Sequence, residues 1–190
     1  MPYTNFATAS RKRAQRPPGE AGSFLASPVF ESLFGWERHP HSLAEMASQG
    51  FLTQEIVDAM DAAPLDVRFN REWHPYIHQV ETWQRLKDRP ARSVLLSSGT
   101  GSGKTEGFLV PILDDLARES AGKRRLTGVR AILLYPLNAL IKSQRDRLSA
   151  WCRPFGGRIR FCRYNGETPE ALPSWRQQSH PEEVESRESL

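Results

Sequence analysis

Residues 97–106 read Ser-Ser-Gly-Thr-Gly-Ser-Gly-Lys-Thr-Glu, and no other stretch constrains the chain as tightly. The apolar run Val94-Leu95-Leu96 precedes it, and Phe108, Leu109, Ile112 and Leu113 follow at helical spacing. Strand, glycine-rich loop and helix in that order form the context of a phosphate-binding loop. Gly99, Gly101 and Gly103 carry no Cβ, so the backbone can curl and aim N–H groups at phosphate oxygens. A helix starting at the loop turns its positive dipole end toward the same anion. Lys104 has the reach for β- and γ-phosphates, and the Thr105 hydroxyl can ligate Mg²⁺. Thr100, Ser102 and Glu106 complete the stretch as candidate nucleotide contacts. Ser98 stands where the general pattern has glycine, at a position that chiefly needs a small residue. The bland alternative is a glycine-rich turn that binds nothing; an intact Gly-Ser-Gly-Lys-Thr after a strand argues against it.

The 190 residues suffice for one ordinary domain with appendages, and 38% hydrophobic content permits a core. No apolar run is long enough to span a bilayer, and no secretory leader opens the chain, so a cytoplasmic setting without membrane contact is expected. Cys152 and Cys162 are too far apart for a C-x-x-C pair and read as free thiols. The net charge of +4 hides an uneven distribution. Residues 121–164 hold eleven Lys or Arg against one acid, Asp146. Beyond Tyr164 glutamates dominate. A basic block beside a nucleotide site suits a polyanionic partner. Charge alone equally suits a solvated basic face.

Taken in order, residues 1–23 are basic and poor in large apolar side chains, which predicts a disordered tail. Residues 24–90 predict short helices. Ser27-Pro28 starts one, with Phe30 and Phe34 on one face; Ser42 and Glu45 make a capping box, and Gly50 ends that helix. Thr53 is placed to cap the next, through Ile56, Val57 and Met60. Pro75 opens a helix with Tyr76, Ile77, Val80 and Trp83 on one stripe. The run Ala131-Ile132-Leu133-Leu134-Tyr135 predicts a strand buried on both faces, followed by a helix to Trp151. Residues 159–164 alternate apolar and basic residues and predict a third strand. Alternating strands and helices imply an α/β fold with a parallel sheet. With only three strands found, one sheet edge is expected to expose apolar surface.

These residues together resemble the superfamily-two DEAD/DEAH-box helicases. Residues 97–113 look like their motif I, and 131–140 with Gln144 and Leu148 like motif Ia. Tyr164-Asn165-Gly166-Glu167-Thr168-Pro169 resembles the next nucleic-acid-contacting motif, and Tyr76-Ile77-His78-Gln79 is similar to the adenine-reading Q motif. The wording is closest to the Lhr- and YprA-like group, which includes bacterial DNA-repair and phage-defence members. The resemblance implies an incomplete RecA-like P-loop domain over 91–178, helices on both faces of its sheet, a small helical segment before it, and a polar tail over 179–190. It implies ATP and Mg²⁺ at the loop, with Tyr76 and Gln79 at the adenine. It implies single-stranded or duplex DNA, or RNA as the alternative polymer, against Pro136, Leu137, Asn138, Arg145, Gly166, Glu167 and Thr168. Helicases of this kind use a later Asp-Glu-x-His or Asp-Glu-x-Asp segment and a second motor domain for hydrolysis. The chain contains neither, and Pro181-Glu182-Glu183-Val184 lacks a preceding apolar strand. The expectation is therefore the N-terminal portion of an ATP-dependent DNA helicase or translocase, with the missing remainder as a partner. Two alternatives stay open: a non-hydrolysing nucleotide- and nucleic-acid-binding module, and an unrelated P-loop enzyme such as a small-molecule kinase.

Overall fold

The computed structural model describes residues 16–17, 19–21, 23, 35–88, 90, 92–136, 138–166, 168–172 and 180–186. The chain divides into two units, Met1–Gly35 and Trp36–Leu190. Helices from both sides of residue 90 contribute to one core. In the first unit the Ser23 hydroxyl donates to the Arg16 carbonyl at 3.4 Å. The helix start at Ser27-Pro28, with Phe30 and Phe34, lies outside the described residues.

The second unit is built on five helices among the described residues. Helix α1, Leu43–Ser48, starts on the expected capping box: Ser42 N–H donates to Glu45 Oε2 at 2.7 Å and Glu45 N–H to Ser42 Oγ at 3.3 Å. Gly50 follows at φ +76°, the left-handed conformation that ends such a helix without a Cβ penalty. Helix α2, Gln54–Asp61, buries Ile56, Val57, Ala59 and Met60. Thr53 holds its N-cap position, yet its hydroxyl caps nothing; its backbone N–H donates instead to Asp114 Oδ1 at 2.6 Å. Helix α3, Ile77–Lys87, turns Val80 and Trp83 inward. Helix α4, Lys104–Ser120, buries Leu109, Val110, Leu113 and Ala117. Helix α5, Asn138–Cys152, ends in buried Trp151 and Cys152 and passes into a short 3-10 turn, Arg153–Phe155.

These helices share one core. Leu43, Ile56, Met60, Trp83, Val110, Trp151 and Phe155 are all sequestered from water. Asp114 locks the helices from inside. Its side chain is wholly buried and meets Lys87 Nζ at 2.7 Å and Arg118 Nε at 3.1 Å besides the Thr53 N–H. Burial would raise its carboxyl pKa, but these bonds outweigh it and hold the group below its ordinary value. The Trp151 indole N–H donates to the Val67 carbonyl at 2.9 Å and ties α5 to the loop after α2. Both cysteines are free; burial pushes the Cys152 thiol up to about 12. Among the described residues no helix is long and apolar enough to cross a membrane.

The sheet departs from the three expected strands. Strand β1, Phe161–Cys162, falls within the third of them. It pairs in parallel with β2, Glu183–Val184, in the register Phe161↔Glu183 and Cys162↔Val184. That partner comes from the stretch expected as a polar tail, where Glu182, Glu183, Val184 and Ser186 are in fact buried. The runs at 94–96 and 131–135 are unpaired among the described residues. Their burial alternates, however. Val94, Leu96, Leu133 and Tyr135 are half-buried, whereas Leu95, Ile132 and Leu134 are 93%, 74% and 88% exposed. One face of each run thus lies against the protein and the other is open. An interior parallel strand needs hydrogen-bonding neighbours on both edges, and β1 and β2 pair only with each other among the described residues. Leu96 packs so closely on α4 that a Cβ at Gly107 would lie 2.6 Å from its Cδ2.

Candidate nucleotide and nucleic-acid site

Gly101 and Gly103 adopt φ +76° and +71°, a conformation that side-chain-bearing residues avoid. The loop therefore curls as its glycines allow, and Gly103 becomes the N-cap of α4. Lys104 and Thr105 open that helix, at the end where free N–H groups and the dipole favour an anion. The Lys104 ammonium folds back over the loop and donates to the Ser98 carbonyl at 2.8 Å and the Gly99 carbonyl at 2.6 Å. The Ser98 and Ser102 hydroxyls bond to one another across the loop, which gives the non-glycine at 98 a use. Gly99 and Thr100 are exposed. This donor set fits a nucleotide polyphosphate: an ammonium held by neutral carbonyls can exchange them for phosphate oxygens at little loss.

Helix α3 supports the loop from behind. Gln79 is 3% exposed. Its Nε2 donates to the Gly103 carbonyl at 2.8 Å, and its Oε1 accepts from the Tyr76 N–H at 2.8 Å. One amide hydrogen and one lone pair remain on that side chain. His78 Nε2 lies 2.8 Å from the Ser102 carbonyl, and the Trp83 indole N–H donates to the Glu106 carbonyl at 3.0 Å. Neither His78 nor Trp83 carries a sequence signal for this task, since both partners are backbone atoms more than twenty positions away.

The expected nucleic-acid residues are placed unequally. Pro136 is exposed ahead of α5, and Gly166 is exposed in its turn. Leu137, the Asn138 side chain and Glu167 lie outside the described residues. Thr168 is buried and locks its own turn: its hydroxyl donates to the Arg163 carbonyl at 2.7 Å and accepts from the Asn165 N–H at 3.0 Å. Arg145 faces Glu183 in a two-pronged pair, Nε to Oε1 at 2.8 Å and a terminal nitrogen to Oε2 at 2.7 Å. Arg147 pairs with Glu106, so α5 touches the first turn of α4.

The basic block is less free than its sequence suggests. Lys123 and Arg130 both reach Glu119, Arg158 reaches Glu55, and Arg153 reaches the buried Glu182 at 3.5 Å. Burial alone would raise the Glu182 carboxyl. The Ser149 hydroxyl, its own backbone N–H, Arg153 and His180 outweigh that and lower it. Glu182 and Glu183 are thus engaged with the α5 side chains Ser149 and Arg145.

Comparison with known proteins agrees with this arrangement. The family model for the DEAD/DEAH box helicase matches residues 76–180. Druantia protein DruE of Escherichia coli (strain UMEA 4076-1) is 39% identical over 112 residues, covering 50% of this chain and 6% of that protein. The uncharacterized ATP-dependent helicase YprA of Bacillus subtilis (strain 168) is 28% identical over 97 residues, covering 51% of this chain and 12% of that protein. The chain therefore corresponds to a small part of the length of either relative. No solved structure matches it.

Proposed function

Because the chain belongs to the DEAD/DEAH box helicase family, we propose that it is the nucleotide-binding part of an ATP-dependent DNA helicase or translocase. On this reading it belongs to a RecA-like domain, whose parallel sheet includes the half-covered runs at 94–96 and 131–135. The carrying observation is the loop itself: two glycines in left-handed conformation deliver Lys104 and Thr105 to the start of a seventeen-residue helix. ATP phosphates bind at Gly99, Thr100, Gly101, Ser102, Gly103 and Lys104. Thr105 holds Mg²⁺, which when bound neutralises charge developing on the phosphates. Gln79 reads the adenine edge with its remaining amide hydrogen and lone pair, beside Tyr76. A nucleic-acid strand lies across Pro136, Leu137, Asn138, Gly166, Glu167 and Thr168, and takes Arg145 in exchange for Glu183. The work of the whole protein is DNA repair or phage defence.

Nucleotide titration of wild type and Lys104→Ala tests the reading. The variant removes a charge-assisted contact worth about 1.5–3 kcal/mol, so affinity falls roughly tenfold or more. Equal affinity in two folded proteins refutes the assignment. The second reading, a binding module without turnover, is favoured by Glu182 and Glu183 being occupied by α5. Steady-state ATPase assays with single-stranded DNA decide between the two for this chain: turnover lost in Lys104→Ala supports an enzyme, and background activity in both supports the module.

A further inference from the structure

His78 belongs to none of the roles above, yet it touches the phosphate loop. A carbonyl oxygen can only accept, so at 2.8 Å from the Ser102 oxygen His78 Nε2 carries the proton and donates. The ring is held in that orientation from two sides. It stacks on Tyr76 with centroids 5.6 Å apart and planes 17° apart, and it meets Trp36 edge-on at 5.2 Å. The next residue, Gln79, holds the next carbonyl of the loop, that of Gly103, also at 2.8 Å.

Two consecutive carbonyls held by one helix have a geometric consequence. In a planar trans peptide the C=O and the following N–H point in opposite directions. Pulling the Ser102 carbonyl toward α3 turns the Gly103 N–H away from α3. Pulling the Gly103 carbonyl does the same to the Lys104 N–H. The Gly103 carbonyl also accepts the first bond of α4, from the Gly107 N–H at 3.0 Å, so the helix already sets the Lys104 amide. The Gly103 amide has no such bond behind it, and between left-handed glycines it can point either way unless His78 holds the Ser102 carbonyl. We propose that His78 is a positioning residue: through the Ser102 carbonyl it aims the Gly103 amide at the nucleotide phosphate. This rests on residues 99–105 being an ATP phosphate site. It adds a residue that sets the affinity of that site without touching the ligand.

The test compares His78→Phe, which keeps a ring between Tyr76 and Trp36 but has no donor, with His78→Gln, whose amide Nε2 restores one. ADP affinity with Mg²⁺ is measured by calorimetry for both, for wild type and for Lys104→Ala, and ligand-free melting temperatures are recorded. One neutral hydrogen bond corresponds to a change of about three- to tenfold. The expected result is ADP affinity lowered by that factor in His78→Phe and largely recovered in His78→Gln. Unchanged affinity in His78→Phe overturns the proposal, as does an equal loss in both variants, which would mean that packing and not the donor matters. Should His78→Phe not fold, His78→Leu takes its place in the comparison. Failure of the nucleotide site itself has a separate signature: wild type and Lys104→Ala then bind ADP equally or not at all.

Discussion

Replacing Gly103 by alanine tests whether the loop binds nucleotide in the conformation described. The position has φ +71°, where a side-chain-bearing residue costs about 1–2 kcal/mol. A Cβ there collides with Gln79 Nε2 and lies 3.2 Å from Gln79 Cδ and 3.3 Å from Glu106 Oε2. Nε2 is the far end of a flexible side chain, so it can retreat, but only by giving up the Gly103 carbonyl. Gln79 is 3% exposed, so water does not replace that bond, and its loss costs about 1 kcal/mol more. The sum is about 2–3 kcal/mol, or roughly 30- to 150-fold in an equilibrium constant. A loop can relax without unfolding the helices behind it. Most of the penalty is therefore expected in nucleotide affinity, because binding has to restore the strained conformation. ADP titration reads that share and thermal melting reads the rest. In the Gln79→Ala background the collision and the bond to the Gly103 carbonyl are already gone, so Gly103→Ala adds only the backbone strain and the two changes couple by about 1 kcal/mol. ADP affinity within threefold of wild type, with an unchanged melting temperature, refutes the reasoning.

Two further outcomes follow from the ion pairs. Asp114 has a depressed carboxyl pKa, so its contribution is fully present above the ordinary carboxylate value of 3.8 and is lost as pH falls through the folded-state value. Asp114→Asn is expected to lose about 2–3 kcal/mol in urea unfolding at pH 7 and to show a flatter decline toward pH 3; a parent-like acid limb in the variant contradicts this. Glu183→Gln removes the two-pronged partner of Arg145 and leaves only the longer contact to Asp146 at 3.8 Å, so affinity for single-stranded DNA should rise and the slope of log affinity against log salt should steepen by up to about 0.7. A slope and an affinity equal to wild type would remove Arg145 from the nucleic-acid face.

Some local signals were legible in the sequence, though not the Thr53 cap, and signals made across the fold were not. The capping box at Ser42 and Glu45 spans three residues and forms as read. Gly101 and Gly103 adopt the conformation their lack of a Cβ suggested, and α4 begins at Lys104 as the apolar spacing implied. By contrast, β2 is two residues in a glutamate-rich stretch, too short to show any alternation. It exists because Phe161 and Cys162 supply a parallel neighbour and Arg145 covers the Glu183 charge. The basic block read as a single-sign surface because its partners, Glu55, Glu106, Glu182 and Glu183, come from outside it. Charge summed along a chain gives the surface field only when folding does not interleave the opposite sign.

Glu106 is where the helix that follows the 97–105 loop meets α5. It follows Thr105 directly, and α3 and α5 hold it by different atoms. The Trp83 indole fixes its backbone carbonyl at 3.0 Å, while Arg147 holds its carboxylate. Arg147 in turn lies over the Trp151 ring, 5.6 Å from its centroid, and Trp151 is anchored to the Val67 carbonyl. Glu106 and Arg147 are 19% and 20% exposed, so the pair is shielded enough for its attraction to exceed that of a surface ion pair. The backbone of the first turn of α4 is thus fixed to α3, while its one acidic side chain is committed to α5. A phosphate at the loop would attract Lys104 and repel the Glu106 carboxylate two residues away, and Arg147 is the charge that offsets this repulsion. Binding of an anion on one side therefore strengthens the demand for Arg147 on the other. Any anion competing for the same guanidinium would be felt at the first turn of α4 through a single side chain. Coupling of that kind needs only a difference in the strength of one contact between the two states, and Glu106 with Arg147 provides the contact.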